Sequence, residues 1–293
     1  MKDYMIKFMK EFDYPEEAES SLLQAYSGMD RDRFHDVLDL YQDKETCDFQ
    51  MLLDMTSDIS KKAGIHVFQG HMVLLIALSK YLKKRYDKKR YSEKMWKDSM
   101  SDLKYKLLEC HEVKGIWGIF VAWWEEGFFD LTRFAFGRLQ FELAPFEGEY
   151  YTKEGVTLVK GAPVINVHIP RTLTPLSREA CIESYKEALK FFKKEAFVID
   201  SWILYPKYQQ LLSEDSNIHK FNSDYEVLFT KEDQDENENL WRLFDMDWTG
   251  NAEDYPEDSS LRRKMKQYLI DGNMTGSAYA VYIPHNIKQT KKE

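Results

Sequence analysis

The sequence lacks an excess of positive charge, a long apolar run and a cysteine framework, and each lack removes a class of function. Its 41 lysines and arginines are outnumbered by 50 aspartates and glutamates, for a net charge of −9. A phosphate backbone or an anionic membrane would need the opposite balance, so neither nucleic acid nor a membrane is expected as a partner. The longest apolar runs, 72–78 and 115–124, fall well short of the roughly 20 residues that cross a bilayer. The first residues set Lys2, Lys7 and Lys10 among Glu11 and Asp13 without an unbroken apolar stretch, so no secretory signal is expected. Cys47, Cys110 and Cys181 are odd in number and widely separated, which predicts reduced thiols and a cytoplasmic chain rather than a disulfide scaffold or a C-x-x-C zinc site. His66 and His71 are not at the i, i+4 spacing of a helical metal pair, and Cys110-His111 has no partner set; no metal is expected.

What is present is a chain of 293 residues, 43% hydrophobic and 15% aromatic, long enough for two domains. The first part reads as helices. Pro15, Glu16 and Glu17 suit a helix start, followed by a stripe of Leu22, Leu23 and Tyr26. Phe34, Val37, Leu38 and Tyr41 recur at helical spacing, and 49–55 and 67–81 continue it. The basic stretch 80–94, with Lys83, Lys84, Arg85, Lys88, Lys89 and Arg90, is expected to be a solvated helix end and loop.

From Phe134 onward the period changes to alternation. Arg138, Gln140 and Glu142 fall on one face of a strand and Leu139, Phe141 and Leu143 on the other. A loop around Gly148 and Gly155 leads through Lys160-Gly161 to an antiparallel partner strand over 163–169, carrying His168. Ser177 is placed to cap a helix with Cys181, Tyr185, Ala188, Leu189 and Phe192 on one stripe. A strand over 196–205, stopped by Pro206, completes a strand-helix-strand crossover. A strand over 218–229, an acidic surface loop over 232–239, a helix with Leu261, Met265, Tyr268 and Leu269, a strand over 278–283 and a frayed basic tail follow. The predicted fold class is α+β, with a helical domain over 1–130 and a mixed β-sheet domain with flanking helices over 131–293.

Four segments, Phe136-Gly-Arg-Leu-Gln-Phe-Glu142, Val167-His-Ile-Pro-Arg171, Ser201-Trp-Ile-Leu204 and Asp215-Ser-Asn-Ile218, resemble in kind and order a bacterial family with a helical N-terminal domain and a GNAT-like C-terminal acyltransferase domain. The resemblance implies a cleft between two splayed strands that holds the acyl donor, acyl-CoA or another acyl carrier, and transfer of the acyl group to an amine. Most of that superfamily carries Q/R-x-x-G-x-G/A before the central helix, where backbone amides hold a pyrophosphate. Here its place is taken by the glycine-free 171–177, in which Arg171, Thr172, Thr174 and Ser177 are the candidate donor-binding residues.

If the strands carrying Glu142 and His168 are neighbours, the two side chains come within the roughly 5–8 Å of cross-strand pairs, as an acid/base pair able to take a proton from an amine, directly or through water. Arg138 and Gln140 share the Glu142 face and either bind substrate or pair with that carboxylate. Ser201 faces either the cleft or the backbone, and the resemblance adds Trp202, Ser216 and Asn217 as candidate substrate contacts. Two other functions compete with the transferase: a noncatalytic binding protein that keeps the fold, motivated by the glycine-free turn, and a glycoside hydrolase built on Trp117, Trp123, Trp124, Glu125 and Glu126. Adjacent acids on a helix point about 100° apart, so the tryptophans are expected to be interdomain core.

Overall fold

The computed structural model describes residues 1–43, 48–232 and 240–284; Cys47, the acidic stretch 233–239 and the basic tail lie outside the described residues. The chain divides into two compact units, Met1–Ala135 and Phe136–Glu293.

The first unit holds α1 (Lys2–Glu11), α2 (Glu16–Gly28), α3 (Arg31–Asp43), α4 (Phe49–Lys62), α5 (Val67–Lys89), α6 (Glu93–Lys114) and the short α7 (Glu126–Phe129). Every residue from Met72 to Leu78 is fully buried, because α5 lies against α1, α2, α3, α4 and α6 and needs an apolar surface all round. The flanking helices bury one stripe each. Phe34, Val37, Leu38 and Tyr41 are all buried, as are Leu22 and Tyr26. The basic stretch is a helix end followed by a short loop, as expected: α5 continues to a left-handed cap at Arg90, and after 90–92 α6 begins, capped by Ser92, which accepts from the Met95 amide. Among the described residues no helix is long and apolar enough to cross a membrane.

β1 (Arg133–Phe136) leads into the second unit, which continues with β2 (Leu139–Pro145), β3 (Tyr150–Lys153), β4 (Val156–Val159), β5 (Pro163–His168), α8 (Arg178–Phe192), β6 (Phe197–Ser201), α9 (Pro206–Gln209), α10 (Asn217–Asn222), β7 (Glu226–Glu232), α11 (Trp241–Phe244), α12 (Ser260–Ile270) and β8 (Gly276–Tyr282). The larger sheet runs β1-β2-β5-β6-β8-β7, with β3 and β4 as a separate hairpin. The crossover β5-α8-β6 is parallel and its neighbours are antiparallel. One sheet face is closed by α8, whose Tyr185 ring lies 4.8 Å from Phe197 and 6.1 Å from Phe141. On the opposite face Tyr151, Val156 and Leu158 of the hairpin pack with Val164, Val198, Tyr279 and Val281.

Four expected elements differ. The strand begun at Phe136 is two strands, because Gly137 at φ 62° turns the chain and leaves Arg138 in the turn. The loop around Gly148 and Gly155 contains the β3–β4 hairpin, short enough to read as loop. The strand over 196–205 ends at Ser201 and passes into a single 3-10 turn, Trp202–Leu204; Pro206 starts α9 rather than merely stopping a strand, since a first helical residue needs no N–H donor. The strand over 218–229 begins as α10, because Ser216 accepts from the His219 amide and nucleates a helix. The tryptophans do not form a core: Trp123 is 58% exposed, Trp117 stacks on His111 at 3.5 Å and Trp124 lies under Arg133 at 3.8 Å.

Glu125 is fully buried in the helical unit while Glu126 is exposed, so these neighbours do not face one another as a hydrolytic pair. Burial, and then the adjacent Asp102 carboxylate, push the Glu125 pKa well above its ordinary value. A carboxyl whose folded pKa is raised stabilises fully below its unfolded pKa, and that contribution is lost as the pH rises toward the folded value. Glu125→Gln is therefore expected to gain in Tm over the parent protein progressively as the pH rises above the ordinary carboxylate range. Thermal denaturation from acidic to neutral pH checks it, and a difference independent of pH refutes it.

Candidate functional site at the split between two strands

β5 is paired on both sides only in its middle and on one side at its end. Against β2 it pairs through its last residue, with Gln140 opposite His168 and Glu142 opposite Asn166. Against β6 it pairs only at Ile165 with Phe197 and Asn166 with Val198, while β6 continues along β8 as far as Ser201 opposite Ala278. The ladder between β5 and β6 thus stops halfway, and the two strands leave each other with backbone groups released from mutual hydrogen bonding. Alternation sets Gln140, Glu142, Asn166 and His168 on one face and Phe141, Ile165 and Val167 on the other, under α8.

On the polar face His168 Nε2 lies 2.7 Å from Glu142 Oε1, and both side chains are 20% exposed. This is a diagonal contact, since Glu142 stands directly opposite Asn166. The Asn166 amide nitrogen lies 3.5 Å from the same carboxylate oxygen and 3.3 Å from His168 Nε2. An ionised carboxylate only accepts, so it fixes the histidine proton on Nε2 and leaves the basic lone pair on Nδ1. Gln140 is 2% exposed and forms the floor beside this group. Sequence reasoning missed Asn166; its signal was its place two residues before His168, on the same face.

The segment after β5 is held from the β1–β2 turn. Arg138 donates from Nη1 to the Pro170 carbonyl at 2.9 Å and from Nε to the Thr174 carbonyl at 3.2 Å, while its own amide donates to Ser184 Oγ on α8 at 3.0 Å. It clamps the candidate donor loop and does not share the Glu142 face, as the single-strand reading had required. Thr172 and Thr174 meet through their hydroxyls at 2.9 Å, and Ser177 caps α8 by accepting from the Ala180 amide at 3.3 Å. Arg171 is ion-paired to Asp245, which also binds Arg262. Asp245 is far from Arg171 in sequence and had no local signal.

The other candidates do not join this group through any contact described. Ser201 ends β6, and Trp202 begins the 3-10 turn with its ring 6.3 Å from Tyr208. Ser216 and Asn217 form the start of α10, where the Ser216 hydroxyl is engaged as the cap at 3.1 Å. The buried Cys181 thiol is pushed up to about 12, first by burial, so it is a poor nucleophile near neutral pH. Among the described residues no three metal-ligating side chains cluster.

Two family profiles match the chain: an N-acyltransferase N-terminal domain over residues 3–131 and a GNAT-like C-terminal domain over residues 133–282. Similar solved structures include an acyltransferase in complex with decanoyl-CoA, with TM-score 0.73, 17% identity, and 95% of this chain and 87% of that chain covered. A mutant acyltransferase in complex with octanoyl-CoA gives TM-score 0.75 and 18% identity over 96% of this chain and 88% of that one. An acyltransferase in complex with decanoyl-CoA and teicoplanin gives 0.74 and 18% over 95% and 87%. At these identities the likeness is one of fold. A comparison with curated protein sequences gives no match.

The clamp has a measurable consequence. Arg138→Ala is expected to speed amide hydrogen exchange across 171–176 by about tenfold, the loss of roughly 1.4 kcal/mol of charge-assisted hydrogen bonding. The α8 amides keep their protection because Ser177 still caps the helix; unchanged exchange in the loop would show that Arg138 holds nothing there.

Proposed function

From the chain's membership, which the match over residues 133–282 establishes, in the family of proteins with a GNAT-like C-terminal domain, we propose that it is an N-acyltransferase that moves an acyl group from acyl-CoA to a small-molecule amine. The observation that carries this reading is the hydrogen-bonded Glu142–His168 pair at the end of a strand whose ladder to its parallel neighbour stops short. The two units then act as two domains, 1–130 and 131–293, in the cytoplasm, where acyl-CoA is available.

On this reading the donor thioester enters the split between β5 and β6, where backbone groups freed from the ladder polarise its carbonyl. The amine approaches on the polar face. Glu142 orients His168 and steadies the positive charge that develops on it, and the pair takes up the amine proton as the N–C bond forms. Collapse of the tetrahedral intermediate breaks the C–S bond, and the departing thiolate is protonated. Gln140 and Asn166 keep the carboxylate and imidazole in place.

The start of α8 offers an anion two things, the amides of its first turn and the Ser177 hydroxyl. Thr172 and Thr174 add hydroxyls, and Arg171 adds a cation in exchange for its bond to Asp245. These side chains stand in for the close backbone approach that glycines provide elsewhere. Ser201, Trp202, Ser216 and Asn217 stay proposed acceptor contacts along the β6 side. A fold retained for binding alone is the second reading, supported by the glycine-free loop.

Octanoyl-CoA or decanoyl-CoA is expected to raise the Tm saturably, by the equivalent of about 2.7 kcal/mol at a hundred times its Kd. Glu142→Gln and His168→Ala should keep that shift and lower kcat by about 10²–10⁴-fold. Absence of a shift with any acyl-CoA refutes the transferase; a retained shift with no turnover of any amine by the parent protein favours the binding protein.

A further inference from the structure

The chain between the antiparallel neighbours β7 and β8 is far longer than a hairpin needs. Its described part, from residue 240, folds as α11, the 3-10 turn Ala252–Asp254 and α12. Phe244 and Tyr255 of this segment share one apolar cluster with Tyr205 and Tyr208, just past the end of β6. Phe244 is buried, with its ring 3.9 Å from that of Tyr255. The next residue, Asp245, closes α11 in the left-handed conformation at φ 58°. Its carboxylate meets two arginines, one at each oxygen: Arg171 of the loop after β5 at Oδ1 and Arg262 of α12 at Oδ2.

The two arginines are not equivalent. Arg262 is 17% exposed, donates from Nε to the Leu243 carbonyl at 2.8 Å and pairs with Asp258 at 2.8 Å, so it is built into the segment that carries Asp245. Arg171 is 37% exposed and reaches Asp245 from outside that segment. When Arg171 leaves, Asp245 keeps Arg262 and is not stranded as a largely buried, unpaired charge. The loop after β5 is not set loose either, because Arg138 holds its Pro170 and Thr174 carbonyls. A guanidinium fork fits a phosphate as well as a carboxylate, so a phosphate arriving at this loop meets Asp245 as a rival for Arg171.

We propose that Asp245 is a positioning residue that competes with the phosphates of the donor for Arg171, so that donor binding unties the segment from residue 240 from the loop after β5. This rests on the acyl-transfer reading only in taking 171–177 as the donor loop. A phosphate-bearing donor draws Arg171 away from Asp245, whereas a phosphate-free thioester leaves the tie in place. Asp245 lowers the affinity for every phosphate-bearing donor in proportion to the time it holds Arg171.

Calorimetric titration of the full chain with CoA, inorganic pyrophosphate and pantetheine tests this. Asp245→Asn is expected to tighten CoA and pyrophosphate by about tenfold and to leave pantetheine unchanged, whereas loss of a merely structural contact would weaken all three. Asp245→Glu should return the affinities toward those of the parent protein, and in an Arg171→Gln background Asp245→Asn should bring no gain. Pyrophosphate should also speed amide exchange over 241–256 of the parent protein by about threefold or more, a measurement that needs no variant to fold. Pyrophosphate binding with exchange over 241–256 unchanged, or binding that Asp245→Asn leaves the same or weaker, overturns the proposal. If CoA binds and turns over but Asp245→Asn gives no gain, the competition falls and the transferase stands. If no acyl-CoA binds but pyrophosphate does, and more tightly in Asp245→Asn, the transferase falls and the competition for Arg171 stands. If neither CoA nor pyrophosphate binds, both fall.

Discussion

The second unit depends on one broken ladder. β5 and β6 begin as parallel neighbours and end with different partners, β2 and β8, and the divergence follows Asn166 and Val198. Continued pairing would bury the backbone groups of both strand ends in mutual hydrogen bonds and leave a smooth sheet. Its interruption creates a place where a ligand can reach backbone and side chains together, at the C-terminal ends of parallel strands, where open α/β sheets usually bind their ligands. Both faces of the sheet support the split: α8 closes one with Tyr185 against Phe141 and Phe197, and the β3–β4 hairpin covers the apolar half of the other.

The polar half of that face has two kinds of charge. On the β5 side the Glu142–His168 contact is partly buried and specific, a short bond that selects a tautomer. On the β6 side Asp200, Lys231 and Glu147 are more exposed, and their pairing is weak and exchangeable. The loop after β5 is held by Arg138 and by the Arg171–Asp245 pair, so its geometry comes from side chains in a segment without glycine.

Legibility in the sequence followed the range of the forces involved. The stripe Phe34, Val37, Leu38 and Tyr41 was visible because helical burial repeats locally, and all four residues are buried. The Ser177 cap was visible because its hydrogen bond spans three residues. Elements decided by a single turn were lost: Gly137 split one expected strand, and Ser216 and Pro206 turned expected strand and coil into short helices. Arg138 was assigned to a strand face on alternation alone, which fails where a turn intervenes.

The order of the chemical residues along the chain, the alternation that sets Glu142 and His168 on the same face of their strands, and the absence of glycine from 171–177 are properties of the sequence itself, because each is a matter of spacing or residue type. Tertiary structure decided that β2 and β5 pair in the register that brings Glu142 to His168 at 2.7 Å, and that Asp245 meets Arg171. Pairing between segments distant in the chain depends on how whole faces pack, and a shift of one residue between β2 and β5 would turn Glu142 or His168 to the opposite face.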